Sequence, residues 1–131
     1  LSITPKFRLK EASDSLVSQL CFWQAAFETS PFAQLSVDLN NRLVAANEQA
    51  NFLFRLTLSD WSLPFSELLP GKLVSSHVAI GKFYCDRRPV NLKNIKWITS
   101  EGTKYLDIFI APVFSTNNDL LGVNLTFIDV S

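Results

Sequence analysis

The chain has 131 residues, long enough for one domain with a hydrophobic core and too short for two. Hydrophobic residues make up 47% and charged residues 18%, too apolar a balance for a disordered tail. Lys plus Arg and Asp plus Glu number 12 each, which argues against a global field that would recruit nucleic acid or anionic lipid.

Residues 1–12 carry little pattern and are expected to be a linker. Ser13 or Asp14 can cap a helix, because their side-chain oxygens accept its first free amide hydrogens. Leu16, Leu20, Trp23 and Phe27 then form one apolar stripe, so residues 13–30 read as an amphipathic helix stopped by Pro31. Ala33, Leu35 and Val37 alternate with polar residues, as in a half-buried strand, and Asp38-Leu39-Asn40-Asn41 supplies a turn. Residues 42–46 return as the second strand, and Asn47 is a sound N-cap for a short helix. Trp61, Pro64, Phe65, Pro70 and Gly71 mark proline-broken helical turns, and Lys72 to Ile80 reads as one more helix closed by Gly81. Three strands follow: Val90 to Ile98, Lys104 to Phe114, and a last one from Leu121. This order predicts an α+β domain, a five-stranded antiparallel sheet with short helices on one face. Both faces of Tyr105 to Phe114 are largely apolar, so the second face needs a cover. The stripe on the first helix is the nearest candidate, folded on its own sheet or packed on a second chain.

The local wording resembles one family. Phe27-Glu28-Thr29-Ser30-Pro31, followed by Ser36 through Asn47, is similar to the opening of PAS domains. The ending, Leu125-Thr126-Phe127-Ile128-Asp129-Val130-Ser131, resembles the final PAS strand with its Asp-(Ile/Val)-(Thr/Ser) close. Asp60 through Leu69, with that ending, is most similar to PAS domains attached to chemotaxis methyltransferase/methylesterase fusion proteins; such modules also sit in histidine kinases. Asn40-Asn41 replaces the usual Asp-Gly, and Asn meets the same backbone need. The resemblance, over residues 27–131, implies a PAS core at 31–131 and a non-catalytic sensory module relaying the state of a ligand or partner to an adjacent output domain. The sequence lacks Met even at position 1, and is expected to be a piece of a longer protein.

Candidate sites follow from that frame. Phe52, Phe54, Trp61, Phe65, Leu106, Ile108 and Phe127 are the expected lining of a small apolar ligand pocket, or simply a packed core. Asp129, an acid closing an apolar strand, is by resemblance the tie to the output linker, with Arg42 and Lys104 as candidate partners; the plain alternative is a solvated strand end. Leu16, Leu20, Trp23 and Phe27 would expose too much apolar area alone and predict a homodimer interface or a cap. No cofactor is expected. His77 lies where some PAS domains ligate haem, but beside Ser75 and Ser76 it reads as a surface or hydrogen-bonded residue. Cys85, in Phe83-Tyr84-Cys85-Asp86-Arg87-Arg88, does not match the flavin-photochemistry motif. Cys21 and Cys85 have no metal or redox spacing and fit free, buried thiols in a reducing cytoplasm. No apolar run is long enough to cross a membrane, and neither nucleic acid nor membrane is an expected partner. Scattered glycines give no phosphate loop, and nothing converges for catalysis, which leaves an α+β enzyme of other topology as the remote alternative.

Overall fold

The computed structural model describes residues 5–75 and 86–130, with side chains from residue 16 onward. Its elements are α1 (Pro5–Thr29), β1 (Ala33–Asp38), β2 (Leu43–Ala46), α2 (Glu48–Phe54), α3 (Leu69–Ser75), β3 (Val90–Thr99), β4 (Gly102–Phe114) and β5 (Leu120–Asp129). Two 3-10 turns, Leu58–Ser62 and Phe65–Glu67, join α2 to α3. The strands form one antiparallel sheet in the order β2-β1-β5-β4-β3. The chain's first and last long strands therefore lie side by side, with Ala33 opposite Phe127 and Asp38 opposite Gly122.

Each hairpin closes by the chemistry its sequence offers. Asp38 Oδ1 accepts from the N–H groups of Asn40 (2.9 Å) and Arg42 (3.1 Å), and Asn41 takes the left-handed φ of 64° that the turn needs. At the β4–β5 turn Ser115 Oγ accepts from Asn117 and Asp119, and Asn118 is left-handed at φ 64°. Strand alternation decides the core. Ala33, Leu35 and Val37 of β1 meet Leu106, Ile108 and Ile110 of β4 and Val123, Leu125 and Phe127 of β5 on the inner face, all buried. Phe54, Phe65, Leu68 and Val74 close over them from the helical side.

Three expectations are corrected or bounded here. The first helix starts earlier than residue 13: α1 begins at Pro5, because proline fits a first helical turn and Lys6, Arg8, Leu9, Lys10, Glu11 and Ala12 are good helix formers with nothing to stop them. Ser13 and Asp14 thus lie inside the helix rather than at its cap. The helix read from Lys72 begins at Leu69, and its expected end, Ile80 and Gly81, lies outside the described residues. Among those residues no helix is long and apolar enough to cross a membrane.

Candidate functional site

The residues nominated around a pocket separate into interior and surface. Phe54, Phe65, Leu106, Ile108 and Phe127 are buried together in one cluster, with Trp61 half-buried against it. Phe54 sits at its centre, edge-on to Phe127 at 4.8 Å between ring centroids and tilted against Trp97 at 5.5 Å. Phe52 departs from the expectation: it is 82% exposed. The helical period explains it, since Ala50 and Phe54 share the face that meets the sheet and Phe52 lies about 200° round from Ala50.

Beside this cluster an open groove of 630 Å³ runs between the end of α2 and the β3–β4 turn, lined among others by Phe52, Phe54, Trp97 and Ile98. Its polar lining includes Arg55, Glu101 and Lys104, and Arg55 pairs with Glu101 at 2.9 Å. Both partners of that pair are exposed, so it is a soft bridge that a ligand could displace. The chain turns sharply here because Arg55 ends α2 in the left-handed conformation, φ 51°. Trp97, Arg55 and Glu101 were not singled out in the sequence. The alternation of Ile95 and Trp97 with the polar Asn94 and Lys96 was the available signal for Trp97.

Asn47 is the one buried polar side chain among the described residues. Its Oδ1 accepts from Ala50 N–H (2.9 Å), capping α2, and from Gln34 N–H (3.0 Å) of β1. Its Nδ2 donates to the carbonyls of Phe27 (3.0 Å) and Phe32 (2.8 Å). Every hydrogen-bonding position of the amide is used, as burial requires.

The surfaces facing outward are as informative as the core. On α1, Leu16, Leu20 and Trp23 are exposed, Trp23 by 67%, while Phe27 is half-buried near the α2 junction. Phe22 is exposed as well and stands edge-on to Trp23 at 5.7 Å. On the outer face of the sheet Tyr105, Phe109 and Val113 are each more than a third exposed. The stripe of α1 is therefore not laid over its own sheet. Asp129 ends β5 opposite Leu106, and the next residue, Val130, donates its N–H to Tyr105 O at 2.9 Å. Of the two bases considered for it, Arg42 donates to the carbonyl of Ser62 and Lys104 stands opposite Trp97.

Asp107, on the outer face of β4, accepts from Asn94 N–H at 2.9 Å and pairs with Lys93 at 3.3 Å. The amide of Asn94 first, and Lys93 after it, hold its carboxyl below the ordinary value against partial burial. Cys21 is a free thiol but exposed, not buried as expected, because it lies on α1 between the uncovered Leu20 and Phe22. Among the described residues no cluster of three or more His, Cys, Asp and Glu side chains could hold a metal ion. His77 and Cys85 lie outside those residues.

No family profile and no curated protein matches the chain. Solved structures do. The PAS domain of a protein from Colwellia psychrerythraea superposes with a TM-score of 0.63 at 18% identity, covering 85% of this chain and 96% of that one. The PAS domain of BvgS from Bordetella pertussis gives 0.60 at 16% identity, covering 86% of each. VqmA of Vibrio cholerae, solved as a dimer in the absence of target DNA, gives 0.65 at 14% identity, with 83% of this chain matched to 52% of that one. At these identities the likeness establishes the fold: a PAS fold, with a five-stranded antiparallel sheet and a leading N-terminal helix.

Proposed function

We propose that this chain is a sensory PAS module that pairs with a second copy and relays the state of a small ligand or partner to an adjacent output domain of the same protein. The observation that carries the reading is the coexistence of a packed inner core with two uncovered apolar surfaces, the α1 stripe and the outer sheet face. Exposed Leu, Trp, Tyr and Phe side chains in such sets mark contact surfaces rather than ordinary protein exterior. A stripe and a face on one chain can cover each other in a symmetric pair, so a second copy is the occupant that leaves neither in water.

The relay follows from position. The interface helix and the strand end at Asp129 flank the core, and β1 and β5, which lead from them, are paired neighbours. A ligand would act only through different affinity for two arrangements of that unit. The groove beside Phe54, Trp97 and Arg55 offers it an apolar wall and a displaceable ion pair. The role is binding and relay, with no catalysis and no bound cofactor, in a cytoplasmic setting without nucleic acid or membrane as partner. The resemblance of residues 60–69 and 125–129 supports an output of the chemotaxis-fusion or histidine-kinase kind. A ligand-free docking module is the second reading, favoured by the close contact of Phe54 with Phe127 and Trp97.

Native mass spectrometry of the freshly purified chain, set against its denatured mass, tests these readings. A dimer carrying extra mass that is lost on denaturation is expected. A dimer without it selects the docking module, and a bare monomer at micromolar concentration rejects both.

A further inference from the structure

Asn47 stands between two helix ends. Helices leave their last carbonyls and first amides without internal partners. Phe27 lies in the last turn of α1, and its carbonyl receives Asn47 Nδ2 at 3.0 Å together with a longer bond from Ser30 N–H at 3.4 Å. Ala50 lies in the first turn of α2, and its amide is received by Asn47 Oδ1 at 2.9 Å. One planar amide thus caps the end of one helix and the start of another. Its remaining bonds, to Phe32 O and Gln34 N, grip the connection between α1 and β1. The backbone of Asn47 adds a bond to Gln34 O at 3.1 Å.

We propose that Asn47 is a latch that fixes the orientation of α1 to the core and passes movement of α2 to it. The partners dictate the residue: two N–H groups on one side and two carbonyls on the other require an acceptor and a double donor on one short side chain. Asp cannot donate, and Ser has too few donors. At the far end of α2, Phe54 touches Trp97 and Phe127 and lines the groove. A change there tilts α2 as a unit, and the cap at its other end carries the tilt to the carbonyls of Phe27 and Phe32. The consequence for signalling rests on the relay reading above, whereas the latch itself is measurable in the isolated chain.

The experiment uses Cys21, exposed on α1, and Asn117→Cys in the exposed β4–β5 turn, both carrying nitroxides in a Cys85→Ser background. Labelled chains are diluted in unlabelled protein so that only distances within one chain are read. Asn47→Asp and Asn47→Ser both keep an acceptor for Ala50 and remove the paired donors to Phe27 and Phe32. The expected result is a distance distribution roughly twice as wide in both variants, with amide-exchange protection of Ala50 and of β4 retained. An unchanged width in a folded variant overturns the latch. So does a width that grows only together with exchange at Ala50, which would reduce Asn47 to a cap for α2. Should the Asp variant not fold, the uncharged Ser variant decides. A latch that fails this test leaves the native-mass result untouched, so its failure and that of the sensory reading are distinguishable.

Discussion

Asp107 reaches from β4 to the edge strand and takes the backbone N–H of Asn94 at 2.9 Å, at the point where the β3–β4 register slips between Leu92 and Ile95. Asn94 is left-handed there, φ 54°, so the carboxylate holds an amide that the ladder gives up at the bulge. An edge strand that is kinked and carries Lys93 is also a poor template for pairing with another chain.

This arrangement makes stability depend on pH in a definite direction. The folded carboxyl holds its proton less tightly than the unfolded one, whose ordinary value is 3.8. Its contribution is therefore complete above about pH 3.8 and is lost as the pH falls through the lower folded value. Urea midpoints of the native chain and of Asp107→Asn should differ at about pH 6, and the gap should narrow as the pH falls below 3.8. A gap independent of pH would remove the carboxylate from the account.

Two phenylalanines about half a helical turn apart should behave in opposite ways. Phe54→Ala empties a site packed by Trp97 and Phe127 and is expected to cost about 3–5 kcal/mol in denaturant unfolding. Phe52→Ala, at a position 82% exposed, should stay within about 0.5 kcal/mol. Equal costs would mean that α2 presents another face to the sheet.

Gly122 is required by a close approach. A Cβ built there would lie 2.1 Å from the carbonyl oxygen of Val37 and 3.0 Å from the Cα of Asp38, both main chain, so β1 and β5 would have to part. Gly122→Ala should lower stability by about 2–3 kcal/mol and speed amide exchange along β1 before β3. A neutral substitution would show that the two strands are further apart than this.

Pairing of two copies can be separated from folding. Phe109→Lys on the outer sheet face and Leu20→Lys on α1 place a charge where an apolar partner is proposed, at positions that bury little in one chain. Each should weaken the dimer by about tenfold or more in sedimentation equilibrium and leave the unfolding midpoint of the monomer nearly unchanged. Dimers of undiminished strength in both variants would exclude these surfaces.

What the sequence by itself determined is local. Period-two alternation set which side chains of β1 and β5 enter the core, and Asn, Asp and Ser at the turns fixed where the hairpins close, because those signals act within a few residues; β4, apolar on both faces, left that choice to packing. The N-cap role of Asn47 was legible for the same reason: Ala50 is three residues away. The tertiary structure alone decided the rest. Phe27 and Phe32, the other partners of that amide, lie 20 and 15 residues before it, and β1 meets β5 across most of the chain. Which face of α2 meets the sheet likewise depends on what the sheet presents, and that choice put Phe54 inside and left Phe52 in water. Spacing along the chain encodes a period and a cap; it does not encode the bonds made when distant segments pack, and those bonds join α1 to the core.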